Sequence, residues 1–412
     1  MRSGTACRPS PLPRFFNASN HQSRMLTRNE SHQRIARFQE RLAGQGVHAA
    51  LLLMPIDIYY FTGTRQNSAL LIPAEGDATL LVRKSLSRAR AESPLGDIRP
   101  FPSSRELPAV FGDACVTIGL TFDAVPIQQQ AFYSKVLPGR SFVDISMHLR
   151  EVRSVKSAYE IEQLGRSAAL LATVFAQVPQ FLKAGIRELD LAAEMEHRLR
   201  KAGHEGYVRM RSFNQELFGG MAVSAGAATY GFFDGAVTGK GLSAASPQGA
   251  SLDPIVSNEP VLVDFAGVVN GYIADMTRIF VIGSLDPELK RAFDVSLEIQ
   301  EAVRRAMLPG AICEEVYLQA AAHAESAGLG GNFMGMPGEQ SRFVGHGVGL
   351  ELDELPVLAQ GFRMPLQAGQ VVAVEPKFVI PGKGAIGIEN TFVVTERGGE
   401  RLSPFPDDIV YL

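Results

Sequence analysis

The sequence predicts an α+β protein in two parts, a small α/β domain followed by a larger domain with internal two-fold pseudosymmetry. From Ser31 onward, helical and strand-like segments alternate up to Phe142-Val143-Asp144, the pattern of an α/β unit. Beyond that point two helix pairs recur with one spacing, since Gly185 and Gly203 are 18 residues apart and so are Gly310 and Gly328. Each helix pair is followed by an apolar hairpin that carries two carboxylates.

The chain has 412 residues, enough for two or three domains with substantial cores. Hydrophobic residues make up 46% and charged residues 20%, the balance of an ordinary globular protein. A net charge of -3 gives no basis for a nucleic acid or an anionic membrane as partner. No apolar run reaches the length of a bilayer-spanning helix. Cys7, Cys115 and Cys313 have no metal or redox spacing, so the expected compartment is reducing and the expected location cytoplasmic. Residues 1–30 hold Arg2, Arg8, Arg14, Arg24 and Arg28 with no acid before Glu30. They read as a disordered extension or, with Met25 as an alternative start, as a start-site artefact.

The first domain is expected over 31–153. A helix from His32 to Gly44 precedes the strand Ala49 to Met54, and strands Ala69 to Ile72 and Ala78 to Val82 flank the turn residues Pro73 to Asp77. The domain holds no cluster of His, Cys or acidic residues, so its expected role is support or dimer contact. The second domain, 154–412, begins with Ser157-Ala158-Tyr159-Glu160, which has the form of a capping box. Ile161, Leu164, Ala168, Leu171, Phe175 and Val178 then give one apolar helix face, and the helix is expected to end at Leu182 to Gly185. The next helix runs from Glu188 to Ala202. The second pair runs from Asp286-Pro287 to Leu308-Pro309-Gly310, and from Glu314 to Ala327.

The stretch Val261 to Phe280 reads as a hairpin turning at Asn270-Gly271. That register sets Val269 opposite Tyr272 and Ala266 opposite Asp275, and alternation places Asp264 on the face of Asp275. A lone Asp would read as a turn or edge residue. Two on one apolar face, with no basic residue between them, point to a metal site. A second hairpin about Gly382 sets Glu375 opposite Glu389. Between the hairpins lies Gly345-His346-Gly347-Val348-Gly349, read as a glycine-rich loop in which little side-chain bulk covers the imidazole. The candidate ligands are Asp264, Asp275, His346, Glu375 and Glu389. Two divalent cations would balance the four carboxylates, and oxygen-rich ligation with one nitrogen suits manganese, cobalt, iron or zinc. Two ions sharing a water would generate hydroxide near neutral pH and polarise a carbonyl.

The settings VDFAG, ADMTR, GHGVG, VEP and IEN resemble those of the pita-bread metallopeptidases, the family of methionine aminopeptidase, aminopeptidase P and prolidase. The resemblance covers roughly Ser154 to Leu412, and the preceding domain resembles the amino-terminal domain of prolidase, aminopeptidase P and creatinase. It implies a pita-bread second domain and a dinuclear hydrolase related to Xaa-Pro peptidases, working as a homodimer on a small peptide or other small molecule. By position, Asp264 would chelate one metal, Asp275 and Glu389 would bridge both, and His346 and Glu375 would complete the set, with Glu375 as proton shuttle.

The sequence departs from the family beside the metal ligands. A histidine seven residues after the ligand His is replaced by Asp353. A second expected histidine would fall near Phe233, and none occurs between His204 and His323. These departures imply altered specificity. They leave two alternatives: a non-peptidase, lyase-like metalloenzyme with Asp353 or Tyr230 as base, or a non-catalytic binding module. Arg209 and Arg211 are candidates for holding a substrate carboxylate, or else solvated or paired surface charges.

Overall fold

The computed structural model describes residues 25–211, 219–233 and 235–412. Helix α1 (Arg28–Gly44) is capped by the Thr27 side chain, which accepts the Glu30 amide, and Leu26 is buried. The first domain therefore starts before Ser31, because cap and helix need residues 26–30; residues 1–24 lie outside the described part. Its strands are β1 (Ala49–Leu52), β2 (Ser68–Pro73), β3 (Thr79–Val82), β4 (Asp97–Pro100), β5 (Thr117–Leu120) and β6 (Ser141–Asp144). They form one mixed sheet in the order β4-β3-β2-β1-β5-β6. Helix α2 (Ser146–Ser154) leads into the second domain.

The second domain opens with α3 (Ala158–Phe175), whose capping box at Ser157 and Glu160 is formed in full. Leu164, Ala168, Leu171 and Phe175 are buried as the periodicity requires. The helix stops at Phe175 and not at Leu182, since Pro179 cannot donate in a continued helix and a short 3-10 turn spans Val178–Gln180. Then follow α4 (Glu188–Lys201), β7 (Gly220–Ser224), β8 (Pro260–Val269) and β9 (Tyr272–Val281). The second helix pair is α5 (Pro287–Ala306) and α6 (Cys313–Ser326). Gly203 and Gly328, just past α4 and α6, both have positive φ, 106° and 73°, which suits glycine at a helix C-terminus.

The remaining strands are β10 (Phe343–Gly347), β11 (Glu354–Ala359), β12 (Val371–Val374), β13 (Lys377–Ile380), β14 (Gly384–Gly387), β15 (Asn390–Thr395), β16 (Gly398–Arg401) and β17 (Val410–Tyr411). One sheet has the order β17-β9-β8-β7, another β11-β10-β12-β15-β16, and β13-β14 form a separate ribbon. Helices α3 and α4 pack on the first of these sheets, and α5 and α6 on the second and the ribbon. Each helix pair thus covers its own strands, which realises the two-fold repeat. Val261, Val263 and Phe265 of β8, with Met276 and Phe280 of β9, pack against Leu171, Phe175 and Leu191 in the helical layer. Alternation then turns Asp264 and Asp275 to the opposite side of the hairpin.

The first domain is joined to the second by buried charge. Arg153 of α2 contacts Asp57 at 2.8 Å, Glu351 at 2.8 Å and Glu354 at 2.6 Å, while Lys156 reaches Glu354 at 3.1 Å. Arg211 adds Asp57 at 3.0 Å and Asp123 at 2.6 Å. Tyr59 donates to the Asn270 carbonyl at 3.0 Å, so the domain also braces the hairpin turn. Of the two roles expected for this domain, these contacts show the support.

Burial pushes the Glu354 carboxyl up, but Arg153 and Lys156 outweigh it and hold the pKa at about 2. A carboxylate with a depressed folded pKa stabilises the fold above its unfolded pKa, about 4.3, and loses that contribution as pH falls towards the folded value. Glu354→Gln is expected to cost about 3–5 kcal/mol at pH 7, the range for breaking a buried ion pair. Urea unfolding should show the gap between the two proteins narrowing below about pH 4; a gap independent of pH would contradict the assignment.

Candidate metal centre

The β8–β9 ladder has the register expected from its turn, with Val269 paired to Tyr272, Ala266 to Asp275 and Asp264 to Thr277. Asn270 and Gly271 both take positive φ, 52° and 80°, as a tight hairpin turn requires. In the second hairpin Val374 pairs with Asn390 and Lys377 with Gly387. Both ladders keep one register about Gly382, so Glu375 and Glu389 fall opposite one another at the break between them.

His346 lies on β10, not in a loop, between β11 and β12. The flanking glycines serve strand packing more than ligand access: a Cβ at Gly345 would stand 2.5 Å from the Ala373 carbonyl, and one at Gly347 would strike the Leu355 carbonyl. His346 Nδ1 is 2.8 Å from the Leu352 carbonyl, which can only accept. The hydrogen-bond network therefore assigns a proton to Nδ1 and turns Nε2 towards the carboxylates, the orientation that a metal-ligating histidine needs. Nε2 lies 3.5 Å from Glu375 Oε1 and 3.7 Å from Glu389 Oε1, contacts too long for hydrogen bonds. Glu389 Oε1 is buried with no hydrogen-bond partner.

Lys377 was not anticipated. Its Nζ donates to Asp264 Oδ2 at 2.9 Å, Glu375 Oε2 at 2.8 Å and Glu389 Oε2 at 3.0 Å. The expectation of an acidic site without a basic residue is thus corrected by a lysine from the other hairpin. A signal was available, because Lys377 is two residues past Glu375 and alternation puts both on one face. Its ladder partner is Gly387, where a Cβ would come within 2.8 Å of Lys377 Cγ, so the glycine leaves room for the lysine chain.

The electrostatics follow from crowding. Burial, with Glu389 and Asp264 as neighbours, raises the Asp275 pKa well above the usual carboxylate range. Burial and Glu389 push Glu375 up to about 7 against the pull of Lys377 and His346. Burial opposes the charged imidazole, yet Glu389, Glu375 and Asp275 lift His346 to about 10. Burial also opposes the Lys377 ammonium, and the three carboxylates outweigh it and keep the group charged.

The donor set fits a divalent cation. Ligand atoms of Asp275, His346 and Glu389 all lie within 4.8 Å of one another, and among them is a buried carboxylate oxygen without a hydrogen-bond partner. All five expected ligands line one cavity of about 450 Å³, together with Lys377, Asp353 and Phe233. Asp353 therefore stands at the site; its Oδ1 accepts the Arg211 amide at 2.7 Å. Phe233 stands there too, near where the resemblance would put a histidine. Arg211 holds Asp57 and Asp123 across the domain contact, Arg209 reaches the Gly271 and Leu350 carbonyls within the second domain, and neither lines the cavity. Tyr230 is 53% exposed and lines a separate pocket, which removes it as a base at this site.

The sequence profile of metallopeptidase family M24 matches residues 162–396, and that of the creatinase/prolidase N-terminal domain matches 34–155. The chain belongs to metallopeptidase family M24. An Xaa-Pro dipeptidase of Pyrococcus furiosus is 25% identical over 90% of this chain and 97% of its own length. An uncharacterised peptidase of Bacillus subtilis is 25% identical over 90% and 98%. Among solved structures, the Xaa-Pro dipeptidase from Bacillus anthracis superposes with a TM-score of 0.79 at 22% identity, covering 93% of this chain and all of that one. The prolidase from Pyrococcus horikoshii gives 0.76, also at 22% identity, covering 92% of this chain. The pita-bread domain preceded by a creatinase-type domain is thereby established as the fold.

Asp275 groups with His346 and Glu389 and lies diagonal to Asp264 on one face of the ladder. Asp275→Asn should abolish most divalent-metal binding, since it removes a charged ligand from the set the ion needs. Elemental analysis of the purified variant checks this, and full occupancy would show that the site is elsewhere.

Proposed function

We propose that this chain is a metal-dependent peptidase acting on a short peptide, with a specificity that departs from simple Xaa-Pro dipeptides. The observation that carries this reading is one cavity lined by all five candidate ligand side chains together with Asp353 and Phe233. Family membership and the Xaa-Pro dipeptidase relative support the peptidase reaction; the two substituted positions support the change of substrate.

A bound divalent cation would supply Lewis-acid polarisation of the substrate carbonyl and a more acidic water. The chain's own groups do the rest. Asp275, His346 and Glu389 would hold the cation. Glu375, with its pKa near 7, is suited to taking a proton from the nucleophile at Oε1 and passing it to the leaving amine. The Leu352 carbonyl keeps His346 in its ligating orientation. A two-ion centre is what four carboxylates alone would require, and Lys377 lowers that requirement by one charge. In the same proposal the protein works as a homodimer in the cytoplasm without nucleic acid or membrane partners. Cys115 and Cys313 are both free and buried, in keeping with a reducing compartment, and no helix among the described residues is long and apolar enough to cross a membrane.

Phe233 offers no donor where the family pattern has an imidazole, and Asp353 sets an acid where a donor would stabilise a developing oxyanion. Losing one preorganised donor typically costs about 100- to 1000-fold in turnover. Metal-loaded protein should therefore cleave some di- to pentapeptides while hydrolysing Xaa-Pro dipeptides weakly or not at all, and Asp353→His should raise turnover on the latter. Prolidase-like turnover by the unmodified protein would refute the altered specificity. Consumption of small acids with no peptide cleaved would replace the peptidase by the lyase-like reading, with Asp353 as base.

A further inference from the structure

The carboxylate oxygens of the centre divide into two groups. Glu375 Oε2, Glu389 Oε2 and Asp264 Oδ2 converge on Lys377 Nζ at 2.8, 3.0 and 2.9 Å. Glu375 Oε1 and Glu389 Oε1 face the other way, towards His346 Nε2, beside Asp275. Each lobe is shaped for one cation. The first already holds an ammonium; the second holds the unpartnered Glu389 oxygen and the His346 Nε2 turned towards it.

We propose that Lys377 is a built-in cation occupying the position of a second metal ion, so that the centre is mononuclear: one divalent ion on Asp275, His346 and Glu389, and the ammonium on Asp264, Glu375 and Glu389. This rests on the reading of the cluster as a metal centre and specifies its stoichiometry. A divalent ion bound to the same three oxygens would overlap the ammonium, and the lysine has nowhere else to put its charge, because its side chain is 2% exposed. The surroundings are built for it. Gly387, across the ladder, leaves the space its chain crosses, and Thr277 donates to Glu389 Oε2 at 2.9 Å, fixing the carboxylate that both lobes share.

A consequence follows for Asp264. In a two-ion centre it is a metal ligand, whereas here it holds only the ammonium. The full chain, stripped of metal, is loaded with excess Mn²⁺ and desalted, and its metal is counted by elemental analysis. Electron paramagnetic resonance then reports whether the ions are isolated or exchange-coupled. One ion per chain with an isolated Mn²⁺ signal is expected, retained in Asp264→Asn. Lys377→Gly should accept a second ion and show a coupled spectrum. Two ions or none in the unmodified protein, or loss of the ion in Asp264→Asn, would overturn the proposal. The unmodified count decides the matter even if Lys377→Gly fails to fold. Peptide assays on the same samples separate the two readings: one bound ion without peptide cleavage removes the proposed function and leaves the mononuclear centre. Cleavage with two bound ions does the reverse.

Discussion

Four carboxylates packed into one buried cluster repel one another, and the second domain is arranged around that repulsion. Asp264, Asp275, Glu375 and Glu389 are each no more than 8% exposed, so water cannot screen them. Proton uptake, towards which burial and crowding push Asp275 and Glu375, and positive charge inside the cluster relieve the repulsion, and Lys377 supplies part of that charge through three hydrogen bonds. The rest falls to the lobe where His346, Asp275 and Glu389 converge. Neighbouring polar groups are tied off: Thr391 accepts the Asp275 amide at 3.1 Å, and the buried Arg278 guanidinium bonds the Glu389 carbonyl at 2.9 Å and the Asn390 side chain at 2.8 Å. The cluster therefore sits in a frame whose own hydrogen bonds are satisfied, leaving the ligand atoms as the groups with unmet demand.

That frame reaches into the first domain. Glu354 takes Lys156 on Oε2, and on Oε1 it takes Arg153 and accepts the Leu350 and Glu351 amides at 2.8 and 3.2 Å. This pins the segment whose Leu352 carbonyl sets the His346 orientation and whose Asp353 lines the cavity. Arg153 is in turn held by Asp57 of the first domain. Buried ion pairs thus run from Asp57 through Arg153 to Glu354, and backbone hydrogen bonds of residues 350–352 carry the connection on to the imidazole. Because each member is paired, the segment is kept rigid at a place where a ligand orientation depends on it.

Much of the site was legible in the sequence because hairpin registers are set locally. Asn270-Gly271 determines which residues of β8 and β9 face each other, and the turn about Gly382 does the same for Glu375 and Glu389, so the four carboxylates could be paired from spacing alone. Lys377 was missed because each acidic pair was weighed against the basic residues of its own hairpin, while the ammonium reaches Asp264 across 113 positions of sequence. The ion-pair chain was illegible for the same reason, since nothing local marks Asp57 and Asp123 as partners of Arg211. His346 read as a loop residue because glycines suggest loose backbone; in the fold they admit neighbouring strands at close range. The end of α3 was misplaced because the apolar period continues through Val178 although Pro179 has already stopped the helix.

The account stands on how charge is divided between the two lobes, and anomalous diffraction from a crystal of the manganese-loaded protein tests it most directly. A single anomalous peak within bonding distance of His346 Nε2, Asp275 and Glu389, with Lys377 Nζ still between Asp264 and Glu375, is the predicted result. Two peaks bridged by Asp275 and Glu389, with Lys377 turned out of the cluster, would contradict it.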